Sequence, residues 1–171
     1  MVAPPIDTER LTLRAHCLED LADSAALWGD AEVVRYIGGR PFTAEEVWAR
    51  LLRHIGHWAA LGFGYWVARD RASGAFVGEV GFAELHRDIT PALDVPEAGW
   101  VLAPSAHGRG LAAEAVRACL AWSATQQWAR VVCIIHPANA ASIRVAAKCG
   151  FHKVMDATYR GEPTLLFEHL R

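Results

Sequence analysis

The chain is poor in the features that mark a covalent staple, a membrane anchor or a nucleic-acid surface. It carries only four cysteines, Cys17, Cys119, Cys133 and Cys149. None stands in a C-x-x-C pair, which argues against a zinc site or a dithiol motif and leaves buried, reduced thiols as the reading. No charge of one sign dominates: Lys+Arg number 17 and Asp+Glu 19, for a formal net charge of −2. Such a balance lacks the basic footprint of a nucleic-acid or anionic-membrane binder. Long apolar runs are missing. Val131 to Ile135, which no other run exceeds, falls far short of the roughly 20 residues that a membrane-spanning helix needs. The opening, MVAPPIDTERL, lacks the basic start and apolar stretch of a secretory signal. The expected location is therefore cytoplasmic. There is no low-complexity tract, charge block or fixed-period repeat.

What is present is a globular composition, 53% hydrophobic and 21% charged over 171 residues. That excludes a disordered chain and suffices for one core without staples. A single domain over residues 1–171, with its core at about 8–170, is expected. Arg10 to Arg14 alternates polar and apolar as a strand does. A helix is predicted over Leu18 to Trp28, and a turn-rich segment over Asp30 to Phe42. Thr43 with Glu46 reads as a capping box for a helix that carries Val47, Leu51, Ile55 and Trp58 and ends at Gly62. Tyr65 to Asp70 and Phe76 to Leu85 form a hairpin, Arg87 to Pro96 a loop, and Glu97 to Leu102 a strand. A helix follows from Leu111 to about Gln126. Arg130 to His136 reads as a central strand covered on both faces. A helix from Asn139 to Cys149 and two closing strands, Phe151 to Ala157 and Thr164 to His169, complete a mixed sheet with packed helices.

The stretch Glu97 to Glu114, EAGWVLAPSAHGRGLAAE, carries the clearest chemistry. A strand runs into Gly108-Arg109-Gly110 and then into a helix. Glycines let backbone N–H groups approach an anion, and the helix start supplies unpaired donors and a positive dipole end. This suits a phosphate or pyrophosphate. Gly108-x-Gly110-x-x-Ala113 also matches the dinucleotide fingerprint, but no acid ends the following strand to take a ribose. A Walker loop is excluded, because no Gly-Lys-Ser/Thr exists. His54 and His57 lie three apart on a helix with no H-E-x-x-H and no adjacent acid, so no metal is expected.

His107-Gly108-Arg109-Gly110-Leu111-Ala112 resembles the acyl-CoA motif of the GNAT superfamily of N-acetyltransferases, Gln/Arg-x-x-Gly-x-Gly/Ala. Gly110 and Ala112 match its small positions, and His107 replaces Gln/Arg. Ala113-Glu114-Ala115, the Thr8 to Arg14 opening, and Asn139-x-x-Ser142 with Lys148-Cys149-Gly150-Phe151 are similar to the ribosomal-protein-alanine N-acetyltransferase branch. The resemblance covers about residues 8–170. It implies an α/β (α+β) fold: a mixed, largely antiparallel sheet of about seven strands with about four helices, and an acyl-CoA cleft where the sheet splays. It implies acetyl-CoA as cosubstrate, bound by Trp100, Val101, Leu102, His107, Gly108, Arg109, Gly110, Leu111, Ala112, Asn139 and Ser142.

The implied reaction is attack of a primary amine on the thioester. Glu97 is the expected base, with Glu79, Glu84, His86, His136 and water as alternatives. Ser142 is the expected acid, because the family's usual tyrosine position is Ala146; Tyr159 and water are the alternatives. Trp28, Trp58 and Trp66 fall in segments that line the family's amine side. The acceptor is open: a ribosomal-protein N-terminus, another peptide or a small amine. A monomer or homodimer is expected, with no nucleic-acid or membrane partner. A non-catalytic acyl-CoA-binding module would keep the same loop and Asn139 but lack a working base.

Overall fold

A computed structural model describes residues 2–171. Nine strands form one sheet: β1 (Ile6–Asp7), β2 (Leu11–Arg14), β3 (Tyr65–Asp70), β4 (Phe76–Ala83), β5 (Ile89–Thr90), β6 (Glu97–Leu102), β7 (Arg130–Ile135), β8 (His152–Tyr159) and β9 (Glu162–Leu170). Their spatial order is β1-β2-β3-β4-β6-β7-β9-β8-β5. Every pairing is antiparallel except β6 with β7. That pair is parallel because the chain leaves β6, crosses the sheet in a helix and returns, which is what parallel neighbours require.

The helices are α1 (Leu21–Gly29), α2 (Ala31–Val34), α3 (Ala44–Leu61), α4 (Leu111–Ser123) and α5 (Ala140–Lys148). The expected architecture is present, with elements added where they are too short to leave a period in the sequence. These are the two-residue β1 and β5 and the one-turn α2. The Arg87 to Pro96 loop is thus pinned through β5, whose Ile89 and Thr90 pair with Tyr159 and Thr158 of β8. The caps behave as their residue types dictate. The Thr43 hydroxyl accepts from the Glu46 N–H at 3.2 Å, and the Glu46 carboxylate accepts from the Thr43 N–H at 2.8 Å. Gly62 then ends α3 in the left-handed region, at φ +75°.

The two faces of the sheet bury different cores. Alternation along β4 and β6 sends Val80, Phe82, Ala98 and Leu102 to one face, where they join residues of α4 and α5. The other face carries Glu79, Gly81, Gly99 and Val101. It is covered by α1 and α3 through a second cluster of Leu27, Trp28, Val34 and Val47, with Val101 packed against it. Of the three tryptophans expected on the amine side, only Trp28 lies there. Trp66 alternates with Tyr65 and Val67 and therefore points to the α4 face. There it meets Trp58 and Trp122 edge-on at 4.6 and 5.1 Å. Edge-to-face packing sets the positive rim of one ring against the negative face of the next.

Candidate active site

The sheet opens between β6 and β7. One register pair joins them, Glu97 with Val132, supported by Val132 N–H donating to the Pro96 carbonyl at 3.1 Å. Because the Pro96 carbonyl faces β7, alternation turns the backbone polar groups of Ala98, Trp100 and Leu102 toward β7 and those of Glu97, Gly99 and Val101 toward β4. The β4 ladder is complete through Leu102, so the Val101 amide is spent within the sheet. Trp100 N–H has no strand partner on the open side. Of the three residues expected to contact the cofactor here, Trp100 offers a free donor in the gap. The Leu102 carbonyl is taken by the His107 ring Nε2 at 2.9 Å, and Val101 offers the gap no backbone group.

Gly108 and Gly110 take left-handed φ values of +72° and +78°, which glycine adopts at little cost. They bring the chain into α4 with no side-chain cap, so the N–H groups of its first turn are left for another acceptor. The loop is braced from outside by the Thr8 to Arg14 segment. Arg10 bonds both Glu114 (2.6 Å) and the Arg109 carbonyl (2.8 Å), and the Thr8 hydroxyl donates to Glu114 at 2.6 Å. The Arg109 side chain turns away to Asp70 at 3.3 Å. His107 and Arg109 therefore spend their side chains within the protein, while the backbone N–H groups of the first turn of α4 stay unpaired. Leu111 is fully buried and anchors α4 to the core.

Across the gap, Asn139 caps α5, its side-chain oxygen accepting from Ser142 N–H at 3.1 Å. The Ser142 hydroxyl is half-buried and makes no hydrogen bond to a described residue. His136, where β7 ends, stacks on Tyr36 at 5.2 Å, so the segment after α2 reaches over the gap.

On the α1–α3 face, Glu97 is buried and clasped by Arg87 through two bonds of 2.6 and 2.8 Å. Burial works against the Arg87 charge, but the bonds to Glu97 outweigh it and raise its pKa. The guanidinium lies 4.7 Å from the Tyr159 ring centroid. Glu97 is thus not the free carboxylate expected from its place in the strand: both oxygens already accept from Arg87. Tyr65, absent from the expected set, lies beside it. Its phenol crosses Gly81 and reaches Gly99, where any Cβ would run into its hydroxyl oxygen. Burial, with Glu97 nearby, raises its pKa and keeps it a neutral donor. The readable signal was Gly99, a strand glycine of the kind that marks a close approach.

Two other expected bases are placed elsewhere. Glu84 is exposed, 3.0 Å from the also exposed His86. Glu79 is sealed under α1, accepting from the Ser24 hydroxyl (2.7 Å) and Trp28 Nε1 (2.9 Å). His16 and His54 face it at 3.6 and 3.5 Å. Burial disfavours its charge, but the two imidazoles outweigh that and hold it well below the usual carboxylate range. His54 therefore does have an acid beside it, contrary to the sequence reading; Glu79 reaches it from a strand that adjacency along the chain cannot reveal. The imidazoles of His16 and His54 stack at 4.8 Å and 23°. Both ring Nε2 atoms approach the Glu79 carboxylate, whose two oxygens already accept from Ser24 and Trp28. His16 in the segment after β2, His54 on α3 and Glu79 on β4 form a polar clamp, which Ser24 and Trp28 tie to α1.

A family model described as an acetyltransferase (GNAT) domain matches residues 10–152. The chain belongs to the GNAT acetyltransferase family. It is similar to a solved chain from Bordetella pertussis assigned to that family, at 33% identity and TM-score 0.85, covering 98% of this chain and 99% of that one. An acetyltransferase from Agrobacterium tumefaciens superposes with TM-score 0.86 at 25% identity, over 100% and 96% of the two chains. The uncharacterised protein YkkB of Bacillus subtilis is 31% identical over 94% of this chain and 92% of its own length. This GNAT acetyltransferase is accordingly an enzyme, and the reading as a non-catalytic binding module gives way. No helix among the described residues is long and apolar enough to cross a membrane.

In this acetyltransferase the buried clamp makes stability depend on pH. Burial, opposed by Glu79, holds the His54 pKa down to about 4, against 6.5 for a free imidazole. Between these values the unfolded chain binds the proton and the folded one does not. Stability is therefore full above about pH 6.5 and falls as pH drops toward 4, by up to about 1.4 kcal/mol per unit. Urea denaturation between pH 7 and 5 should show this slope, and His54→Gln should flatten it. A stability that holds or rises in the wild type as pH falls through 6 would mean that His54 protonates in the fold.

Proposed function

We propose that this enzyme moves the acetyl group of acetyl-CoA to a primary amine by direct attack on the thioester, within one domain spanning the chain. The observation that carries this reading is the unpaired Trp100 N–H at the parting of β6 and β7, in line with the uncapped start of α4. A pyrophosphate on the N–H groups of Gly108 to Ala112 would lay the cofactor arm along that gap, with Asn139 reaching it from α5. The thioester carbonyl then meets Trp100 N–H, a fixed dipole aimed at the developing oxyanion. Leu111 and Leu102, both buried in the core behind the gap, hold its two sides in place. Support for the cosubstrate comes from a remoter relative in fold, the spermidine N-acetyltransferase of Vibrio cholerae solved with CoA and spermine, at 20% identity and TM-score 0.75.

The amine approaches from the α1–α3 face, opposite α5. Its nitrogen bonds to the carbonyl carbon, the C–S bond breaks, and two protons must move. Glu97 takes the amine proton, directly or through water, on lone pairs that Arg87 leaves open. Ser142 gives its hydroxyl proton to the CoA thiolate and regains one from solvent. The two groups sit on opposite sides of the sheet, which separates proton removal from proton delivery. Tyr159 lies under Arg87 on the acceptor side, so the acid role stays with Ser142.

Release of free CoA thiol across an amine panel that includes N-terminal peptides tests the reaction. Glu97→Gln should lower turnover about 10²–10⁴-fold with little change in acetyl-CoA affinity, the usual range for general acid–base help. A loss under about threefold would pass the proton to water. Ser142→Ala should reduce turnover more than it reduces cofactor affinity or melting temperature. Full turnover with a shifted melting temperature would reduce Ser142 to a part of the α5 cap.

A further inference from the structure

Arg50 stands on the inner face of α3, in the stripe Val47, Arg50, Leu51, His54 and Trp58 that turns toward the sheet. One turn before it, Val47 enters the cluster with Trp28. One turn after it, His54 packs on the Tyr65 ring at 4.7 Å. The guanidinium of Arg50 lies 3.7 Å from the centroid of the Trp28 ring and 4.9 Å from that of Phe42. Its Nε is buried and has no hydrogen-bond partner. Among the described residues it forms no ion pair and no hydrogen bond, yet the residue is only half-buried, so its far end reaches open space.

A buried cation of this kind normally has a carboxylate. Two lie nearby and neither is free. Glu79 is filled by Ser24 and Trp28 and faced by two imidazoles. Glu97 is clasped by Arg87. Trp28 belongs to the cluster against which Val101 packs, two residues along β6 from Gly99 and the Tyr65 hydroxyl. Arg50 is therefore aimed at the side from which the amine arrives. The face of its guanidinium is fixed by aromatic stacking, which leaves its edge to form paired N–H bonds to a planar anion.

We propose that Arg50 is the anion-recognising element of the acceptor pocket, so that the accepted amine carries a carboxylate, which Arg50 receives at its edge while stacked on Trp28. The proposal rests on the acetyl-transfer reading above for the amine, and on the orphaned guanidinium for the carboxylate. Desolvation, the largest influence on the group, pulls the Arg50 pKa down to about 10, with Arg53 and Arg87 adding to the effect and Glu79 and Tyr65 opposing it. The guanidinium stays charged at neutral pH but lacks the partner that would offset its burial. A bound carboxylate supplies one. A polyamine would instead bring a second cation against Arg50 and Arg87.

The test uses pairs of primary amines that differ only in that group: amino acids against their amides, ω-amino acids against the corresponding alkylamines, and free-acid against amidated dipeptides. The carboxylate member of a pair should show the higher kcat/KM. In Arg50→Met, which keeps the length and apolar contact, the ratio within that pair should fall roughly 10–100-fold, mostly through KM. Arg50→Lys should restore part of it. Calorimetry with N-acetylated amino acids on the CoA-bound protein separates the two readings. Binding that Arg50→Met abolishes, with no amine acetylated, would uphold the carboxylate subsite and overturn the transfer reading. Acetylation that favours neutral or cationic amines, with a ratio unmoved by Arg50→Met, would overturn the subsite alone. Failure of N-acetylated amino acids to bind wild type any better than Arg50→Met would also overturn it.

Discussion

One rung of backbone pairing separates a closed sheet from a sheet with a site in it. β6 and β7 meet at Glu97 and Val132 and then part, while each keeps a full ladder with its outer neighbour, β4 or β9. The outer ladders hold the opening rigid, since neither strand can drift without breaking several hydrogen bonds at once. The parting leaves Trp100 with an N–H that nothing in the protein satisfies, and an unmade hydrogen bond of this kind is costly unless a ligand or water completes it. The Gly108–Gly110 loop, the uncapped α4 and the Asn139 cap all stand around that opening. They come to surround one opening only because the strands separate where they do.

The acceptor side depends on a second constraint, the burial of acids beneath α1 and α3. Glu79 and Glu97 both lie on one sheet face, and each needs partners to stay there. Glu79 draws Ser24, Trp28, His16 and His54 into a clamp that fixes the helices. Glu97 draws Arg87 from the β4–β6 connection, and pairing of β5 with β8 steadies that connection. With these acids satisfied, the Arg50 guanidinium is left without an ion-pair partner among the described residues, which is the basis of the carboxylate subsite proposed for it.

The sequence exposed what local periodicity and local chemistry encode. The capping box at Thr43, the left-handed glycines around Arg109, the Asn139 cap and the apolar β7 all occupy their expected places. It hid what only pairing across the sheet creates. Nothing local shows that Trp66 turns from the amine side, that Arg87 grips Glu97, or that His54 meets Glu79. The same limit separates Trp100 from Val101, neighbours in sequence whose amides point in opposite directions because of one carbonyl, that of Pro96. Tyr65 was half-legible through Gly99, whose missing side chain marks where the phenol lies. Arg50 carries no local signal at all, and only its place on the inner stripe of α3 sets it apart.

Residue-resolved amide hydrogen exchange on β6 tests the parting of the strands most directly. In the free protein the Trp100 amide should exchange fast while its neighbour Val101 is protected by β4. Saturating acetyl-CoA should slow Trp100 by at least about tenfold and leave Val101 nearly unchanged. A Trp100 amide as protected as Val101 without cofactor, or one that acetyl-CoA does not slow, would contradict the opening between β6 and β7 as the place where the thioester is held.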